Sequence, residues 1–150
     1  MICFVVVKLK DVLEQGKSYS WIRPKLCPHC RQSHVWGHGF VLAYFDGFLE
    51  GIYLRRWRCP ECGCVIRMKP TGYFNRFLAS TEAIRRDLSS YIETGKWPSG
   101  HSDTRRDHWM KALTQNIRLY LGNQFVFDLI TGFDILVGQG RIPVSRGKII

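Results

Sequence analysis

Long apolar runs are missing from this chain of 150 residues. Nothing approaches the ~20 consecutive apolar residues of a membrane span, so no membrane-embedded segment is expected. The apolar stretch at 2–7 is too short for a secretory h-region, has no basic residues before it, and is followed by Lys8 and Lys10. A cytoplasmic chain, nucleoid-associated if it binds DNA, is the expectation. Acidic residues are scarce, at 12 Asp and Glu against 22 Lys and Arg, for a formal charge of +10. Those present, such as Asp107, Asp128 and Asp134, show no pairing that suits two-metal chemistry. A P-loop, a Gly-x-Ser-x-Gly elbow, a His-Glu-x-x-His pair and a dinucleotide fingerprint are all absent, and so is any internal repeat. A non-enzyme is expected. Apolar content is not lacking: at 45% hydrophobic and 13% aromatic, the chain has ample material for one ordinary core or two small ones.

What is present begins with cysteine. Cys27-Pro28-His29-Cys30 and Cys59-Pro60-Glu61-Cys62 are two Cys-x-x-Cys pairs. They supply four soft ligands for one tetrahedral metal. Zinc is the default occupant, and a closed four-sulfur site is structural because it leaves no position open to a substrate. Disulfides need an oxidising compartment, and nothing here directs export. A rubredoxin-like iron carrier is the sharper rival, since four thiolates also suit iron. Cys3 reads as a buried thiol and Cys64 as a strand residue near the site. His29, His34 and His38 are not needed as ligands when four cysteines are at hand.

The gap between the pairs, 31–58, is long for a ribbon and calls for an extended hairpin. Residues 34–45 are rich in Val, Trp, Tyr and Phe, Asp46-Gly47 marks a turn or bulge, and 52–58 form a second strand. That strand alternates Tyr53, Arg55 and Trp57 with Ile52, Leu54, Arg56 and Arg58. A third strand is expected at 64–68. Gly63 suits the positive φ that the turn after a Cys-x-x-Cys pair often needs, whereas Arg31 at the matching place predicts strain or a different turn. The expected fold class is α+β, a three-stranded antiparallel zinc ribbon with an N-terminal strand at 2–9 and a helical region after it. The parts are 1–22 (strand and lead-in), 23–70 (ribbon), 71–137 (two to three helices) and 138–150 (a basic Gly-rich tail, read as an extended arm).

Charge is clustered as well as abundant. Four thiolates and one divalent ion would take only two units off the net charge. Residues 51–76 hold Arg55, Arg56, Arg58, Arg67, Lys69 and Arg76 against the single acid Glu61, interleaved with Tyr53, Trp57, Tyr73 and Phe74. Arginine for phosphates and aromatic faces for bases is the composition of a nucleic-acid surface. Arg55, Arg56, Trp57, Arg58, Arg67 and Lys69 are therefore the candidate contacts, with DNA the expected partner and a protein partner the alternative.

Beyond the ribbon the apolar period changes from two to 3.6. Residues 81–94 form a helix with Ser80 as N-cap and Gly95 past its end. A second helix starts near 102 or 103 and runs to 121, with Trp109, Ala112, Leu113, Ile117 and Tyr120 inward and Arg105, Arg106, Lys111, Gln115 and Arg118 outward. A short third helix is expected at 124–131.

The order "RPKLCPHC", "HGF", "LRRWRCPECG" and a proline-marked "MKP" before the helices resembles the amino-terminal zinc ribbon of insertion-sequence transposases. It is closer still to small zinc-ribbon proteins of bacterial mobile elements. The segment "SDTRRDHWMKAL" is similar to the Ser-x-x-Thr-x-x-x-Trp helix that reads DNA in those transposases. The resemblance covers about 21–121 and implies one structural Zn2+, DNA as ligand, and a transposase subunit as a possible partner. It also implies base or phosphate contacts from Thr104, Arg105, Arg106 and His108, with Arg105 and Arg106 suited to guanine. The chain departs from the pattern in two places. Residues 96–101 leave no room for the middle helix of a helix-turn-helix, and a catalytic ribonuclease-H-like domain has no space after 121.

Overall fold

A computed structural model describes residues 1–99, 102–125 and 127–146. The chain divides into two compact units, Met1–Ala79 and Ser80–Ile150. The first contains strands β1 (Ile2–Val5), β2 (Trp36–Ala43), β3 (Ile52–Arg58) and β4 (Val65–Pro70), with helix α1 (Leu9–Gln15) between β1 and β2. The second contains helices α2 (Thr81–Thr94), α3 (Asp103–Leu121) and α4 (Leu129–Gly138). Residues 71–79 belong with the sheet unit, not with the helices that follow.

The sheet has four strands in the order β1-β4-β3-β2 and is mixed. This corrects the expected three-stranded antiparallel ribbon. The β2-β3 and β3-β4 pairs are antiparallel, but β1 lies parallel to β4, with Ile2 opposite Arg67 and Val5 opposite Pro70. The reason lies in hydrogen bonding: β4 offers a free row of backbone donors and acceptors, and an apolar N-terminal strand that pairs with it satisfies both. Arg67 N–H donates to the Met1 carbonyl at 2.9 Å and Thr71 N–H to that of Val5 at 2.9 Å.

α1 was not expected from the sequence. Leu9, Val12 and Leu13 stand at helical spacing, and Leu9 and Val12 pack on Ala43, Phe45, Ile52 and Leu54. Gly16, at φ +56, ends the helix in a conformation that costs glycine little. A second cluster joins the Cys-x-x-Cys turns to the sheet through Cys27, Val35, Trp57, Cys59, Ile66 and Met68. Trp21 touches both clusters, so the two form one continuous core. Each fully buried aliphatic side chain here contributes about 1.5–3 kcal/mol.

In the helical unit, α2 and α3 match the expected spans. Ser80 Oγ accepts the Ala83 N–H at 3.1 Å, Ser102 Oγ accepts that of Arg105 at 3.3 Å, and Gly95 closes α2 at φ +72. The third helix lies further on than expected, because Asp128 Oδ1 accepts the Thr131 N–H at 2.7 Å and starts α4 at Leu129. Ile84, Leu88, Trp109, Leu113, Ile117, Phe133 and Leu136 form the buried core of this unit.

The tail through residue 146 is folded back rather than extended; residues 147–150 lie outside the described residues. Gly140 at φ +75 donates to the Val137 carbonyl, and Arg141 N–H donates to that of Leu136, a Schellman closure of α4. Buried Asn116 then donates to the carbonyls of Pro143 at 2.7 Å and Ser145 at 2.9 Å, while Val144 enters the core.

Candidate metal centre and basic face

The two Cys-x-x-Cys turns are built alike. Cys27 N–H donates to the Ser33 carbonyl at 2.8 Å and Arg31 N–H to the Cys27 carbonyl at 2.8 Å. In the second turn, Cys59 N–H donates to Cys64 and Gly63 N–H to Cys59, both at 3.0 Å. Arg31 (φ +58) and Gly63 (φ +72) occupy the same left-handed place. Arg31 thus adopts the same turn as its glycine counterpart and carries the strain.

The turns bring four sulfurs together. Cys27 Sγ stands 3.7 Å from Cys62 Sγ, Cys30 Sγ stands 3.6 Å from Cys59 Sγ, and all four lie within 4.8 Å of one another. A disulfide needs ~2.05 Å, and all six cysteines are free. Four sulfurs around an ion at ~2.3 Å sit about 3.8 Å apart in a tetrahedron, so the donor set fits one metal ion. Cys27 and Cys59 are buried, while Cys62 reaches the surface.

Backbone amides aim at these sulfurs. The Cys30 N–H, followed by that of His29, holds the Cys27 thiol down at about 6 against the opposing effect of burial. Cys62 receives the Cys64 N–H, yet burial and the three neighbouring sulfurs together push it up to about 12. Cys30 is also raised, since burial and the Cys59 sulfur outweigh the Gln32 N–H. One thiolate forms readily and the next are resisted by like charge, a conflict that a divalent cation resolves.

The other cysteines and the histidines stay out of the cluster. Cys64 Sγ lies toward the Val65 carbonyl, and Cys3 packs half-buried against the core. His34 Nδ1 faces the Lys25 carbonyl at 2.8 Å, which assigns it the proton on that nitrogen.

The candidate nucleic-acid residues divide between the two faces of the sheet. Arg55 lies flat over Phe40 and Trp57, at 4.7 Å from each ring centre. A Cβ at Gly37 would collide with its guanidinium, so this glycine makes room for the stack. Trp57 beneath is only 8% exposed and belongs to the core. Its ring is not open to a base, which corrects its place among the candidate contacts.

The opposite face collects Arg56, Arg58, Arg67 and Lys69 by strand alternation and register. Arg56 stands directly across from Arg67, and Arg58 across from Trp36. Trp36 is 66% exposed. Nothing in the sequence had marked it, although a Trp that stays out of the core on an edge strand is a recognisable signal. Lys69 is buried. Arg56 Nε and Arg67 Nε are also buried and lack hydrogen-bond partners. No carboxylate among the described residues forms an ion pair with Arg56, Arg58, Arg67 or Lys69. Like charges directly opposed across two strands are destabilising.

The structure separates Arg105 from Arg106. Arg105 is half-buried with its guanidinium 5.1 Å from the Trp109 ring. Arg106 is 1% exposed and donates through Nε and NH2 to Asp87 Oδ2 at 3.2 and 3.1 Å. It is a core cation of the helical unit, which removes it from any nucleic-acid surface. Thr104 and His108 are exposed on α3, and His108 Nδ1 accepts from Arg146 at 2.8 Å. Among the described residues no helix is long and apolar enough to cross a membrane.

Compared with known protein families, curated proteins and solved structures, the chain matches none. The site geometry therefore stands on its own: four cysteines positioned to hold one metal ion, and a sheet face whose cations form no ion pair among the described residues.

Proposed function

We propose that this chain is a zinc-stabilised nucleic-acid-binding module, with DNA as its polymer and no catalytic role of its own. The observation that carries the reading is the face of β2, β3 and β4 on which Trp36, Arg58, Arg56 and Arg67 lie in register, with no ion pair to an acid among the described residues. A folded protein keeps an opposed arginine pair at a cost in stability, and a phosphate backbone supplies the missing charge. The exposed Trp36 ring adds a surface on which a base can stack. The two Cys-x-x-Cys turns bracket the β2–β3 hairpin in the chain, and the second follows directly on the basic end of β3. Zinc is the proposed occupant because it is the default ion of a closed four-cysteine site, and iron suits the same four sulfurs. The relation to transposase amino-terminal ribbons remains part of this proposal.

The test is native mass spectrometry of the metal-loaded chain, with fluorescence anisotropy on duplex and single-stranded DNA at several salt concentrations. One bound zinc and an affinity that falls steeply with salt are expected. Replacing Arg56, Arg58 and Arg67 by Gln should remove about three phosphate contacts from the salt slope, each worth about 0.7–0.9 in the log–log plot. An unchanged slope sinks the basic face, and visible absorption with bound iron sinks the zinc assignment.

A second reading, a protein-interaction adaptor, rests on a different observation. Val6 is 90% and Ile22 83% exposed, with Phe4 half-exposed on the edge strand β1. Zinc without salt-sensitive DNA binding would favour it.

A further inference from the structure

The basic face deepens at one end into a cavity of about 260 Å3, lined by Arg67, Lys69, Asn75 and Arg76, with Phe45 and Phe77 among its walls. Lys69 is its unusual member. Lysine is almost never fully buried unless paired, yet Lys69 is only 6% exposed. Its Nζ donates to the Phe74 carbonyl at 3.0 Å, which uses one of three protons. Burial, and then the charge of Arg67, lower its pKa. No acid among the described residues offsets either cation by an ion pair. Arg67 Nε is buried and unpartnered as well. Arg76, exposed at the mouth, holds a left-handed backbone at φ +69, the only described non-glycine residue to do so besides Arg31.

We propose that this cavity is a phosphoryl-group site, in which Lys69 and Arg67 hold the anion from the floor and Arg76 flanks it at the mouth. A tetrahedral oxyanion has enough acceptor sites to use the spare Lys69 protons and the Arg67 Nε–H together. A carboxylate fits one guanidinium but leaves the second cation unmet. The phosphoryl group has two possible sources, a phosphodiester of a strand lying on the basic face or a free phosphate. Only the first rests on the nucleic-acid reading.

The experiment uses the full, metal-loaded chain. Inorganic phosphate is titrated while the Arg67 Nε–H and the 31P line are followed by NMR, and melting is recorded for wild type and Lys69→Met without phosphate. Phosphate should shift the Arg67 Nε–H signal in wild type, and the affinity should fall about tenfold or more in Lys69→Met, as expected for a lost charge-assisted hydrogen bond. The same variant should melt higher by roughly 4 °C or more, because a desolvated charge without a counter-ion is gone. Phosphate affinity equal in both proteins, or a lower melting temperature in the variant, overturns the site. If Lys69→Met does not fold, Arg67→Gln carries the same test of affinity.

A labelled oligonucleotide separates the sources. Competition by phosphate, with weaker oligonucleotide binding in Lys69→Met, supports a phosphodiester in the cavity. Phosphate binding without any oligonucleotide binding supports the site for free phosphate and sinks the nucleic-acid reading. Oligonucleotide binding that ignores both phosphate and Lys69→Met, with no phosphate response, overturns the site and leaves that reading standing.

Discussion

Arg31 and Gly63 stand at equivalent places in the two Cys-x-x-Cys turns, and only one of them is suited to its backbone. Arg31 at φ +58 bears a Cβ where the left-handed region crowds it against the neighbouring carbonyl, at a cost of about 1 kcal/mol. Arg31→Gly should therefore stabilise the sheet unit by up to about 1 kcal/mol, read as a higher denaturation midpoint of the metal-loaded chain. A lower midpoint would mean that the Arg31 side chain contributes more than its backbone loses. Asp87 and Arg106 present the reverse case, two charges removed from water together. Both are about 1% exposed and depend on each other, with the exposed Arg86 contributing a longer contact to Asp87 at 3.4 Å. Asp87→Ala leaves the buried guanidinium with only the exposed Asp103 carboxylate, 3.7 Å from it, and should cost about 3 kcal/mol in chemical denaturation. The double change Asp87→Leu with Arg106→Met should recover much of that loss. Equal losses in the single and double variants would rule out charge burial as the cause.

At the scale of elements, α2 and α4 are tied by Arg85 and Asp134, whose two hydrogen bonds are each 2.8 Å. Both side chains are about half exposed, so solvent screening holds the pair to about 1 kcal/mol or less. The Arg85 hydrogen bond, aided by its charge, keeps the Asp134 carboxyl below its ordinary value despite partial burial. A folded value below the unfolded one gives stability that is present at neutral pH and lost as pH falls through the carboxylate range. Wild type and Asp134→Asn should accordingly differ in melting temperature at pH 7 and converge in acid. A gap that persists in acid would point to packing instead of charge. α3 and α4 meet more closely. A Cβ at Gly132 would lie 2.5 Å from Ile117 Cδ1 and 2.8 Å from its Cγ1, so the helices touch through a glycine. The period-3.6 pattern exposed α2 and α3, but this close approach has no signature in a pattern of polar and apolar residues.

For the whole molecule, the two units have cores of different origin. The helical unit buries side chains from Ile84 through Val144. In the sheet unit, Cys27 and Cys59 form part of the core themselves, so the Cys-x-x-Cys turns and the apolar packing are one structure. Removing the metal should unfold the sheet unit while the helical signal survives, seen as loss of strand-region amide dispersion in NMR with far-UV helicity retained. Simultaneous loss of both signals would contradict separate cores.

The sequence by itself determined which four cysteines come together and most of the local elements. A Cys-x-x-Cys pair encodes its turn within a few residues. Ser80 and Gly95 bound α2 by local capping, and the span of β3 follows from its alternation. These features depend on neighbours in the chain, which a linear reading can see. What only the tertiary structure decided depends on distant partners. β1 became a parallel strand because β4, more than sixty residues away, had unpaired backbone groups to offer. Arg106 went inside because Asp87 waits on another helix, and the tail folded back because Asn116 binds its carbonyls. The division of the cations was hidden for the same reason: adjacent arginines look alike in sequence, while the pleat sends Arg55 onto Trp57 and Arg56 toward Arg67. Side-chain direction, and with it the line between a core charge and a binding charge, is set by strand register and burial.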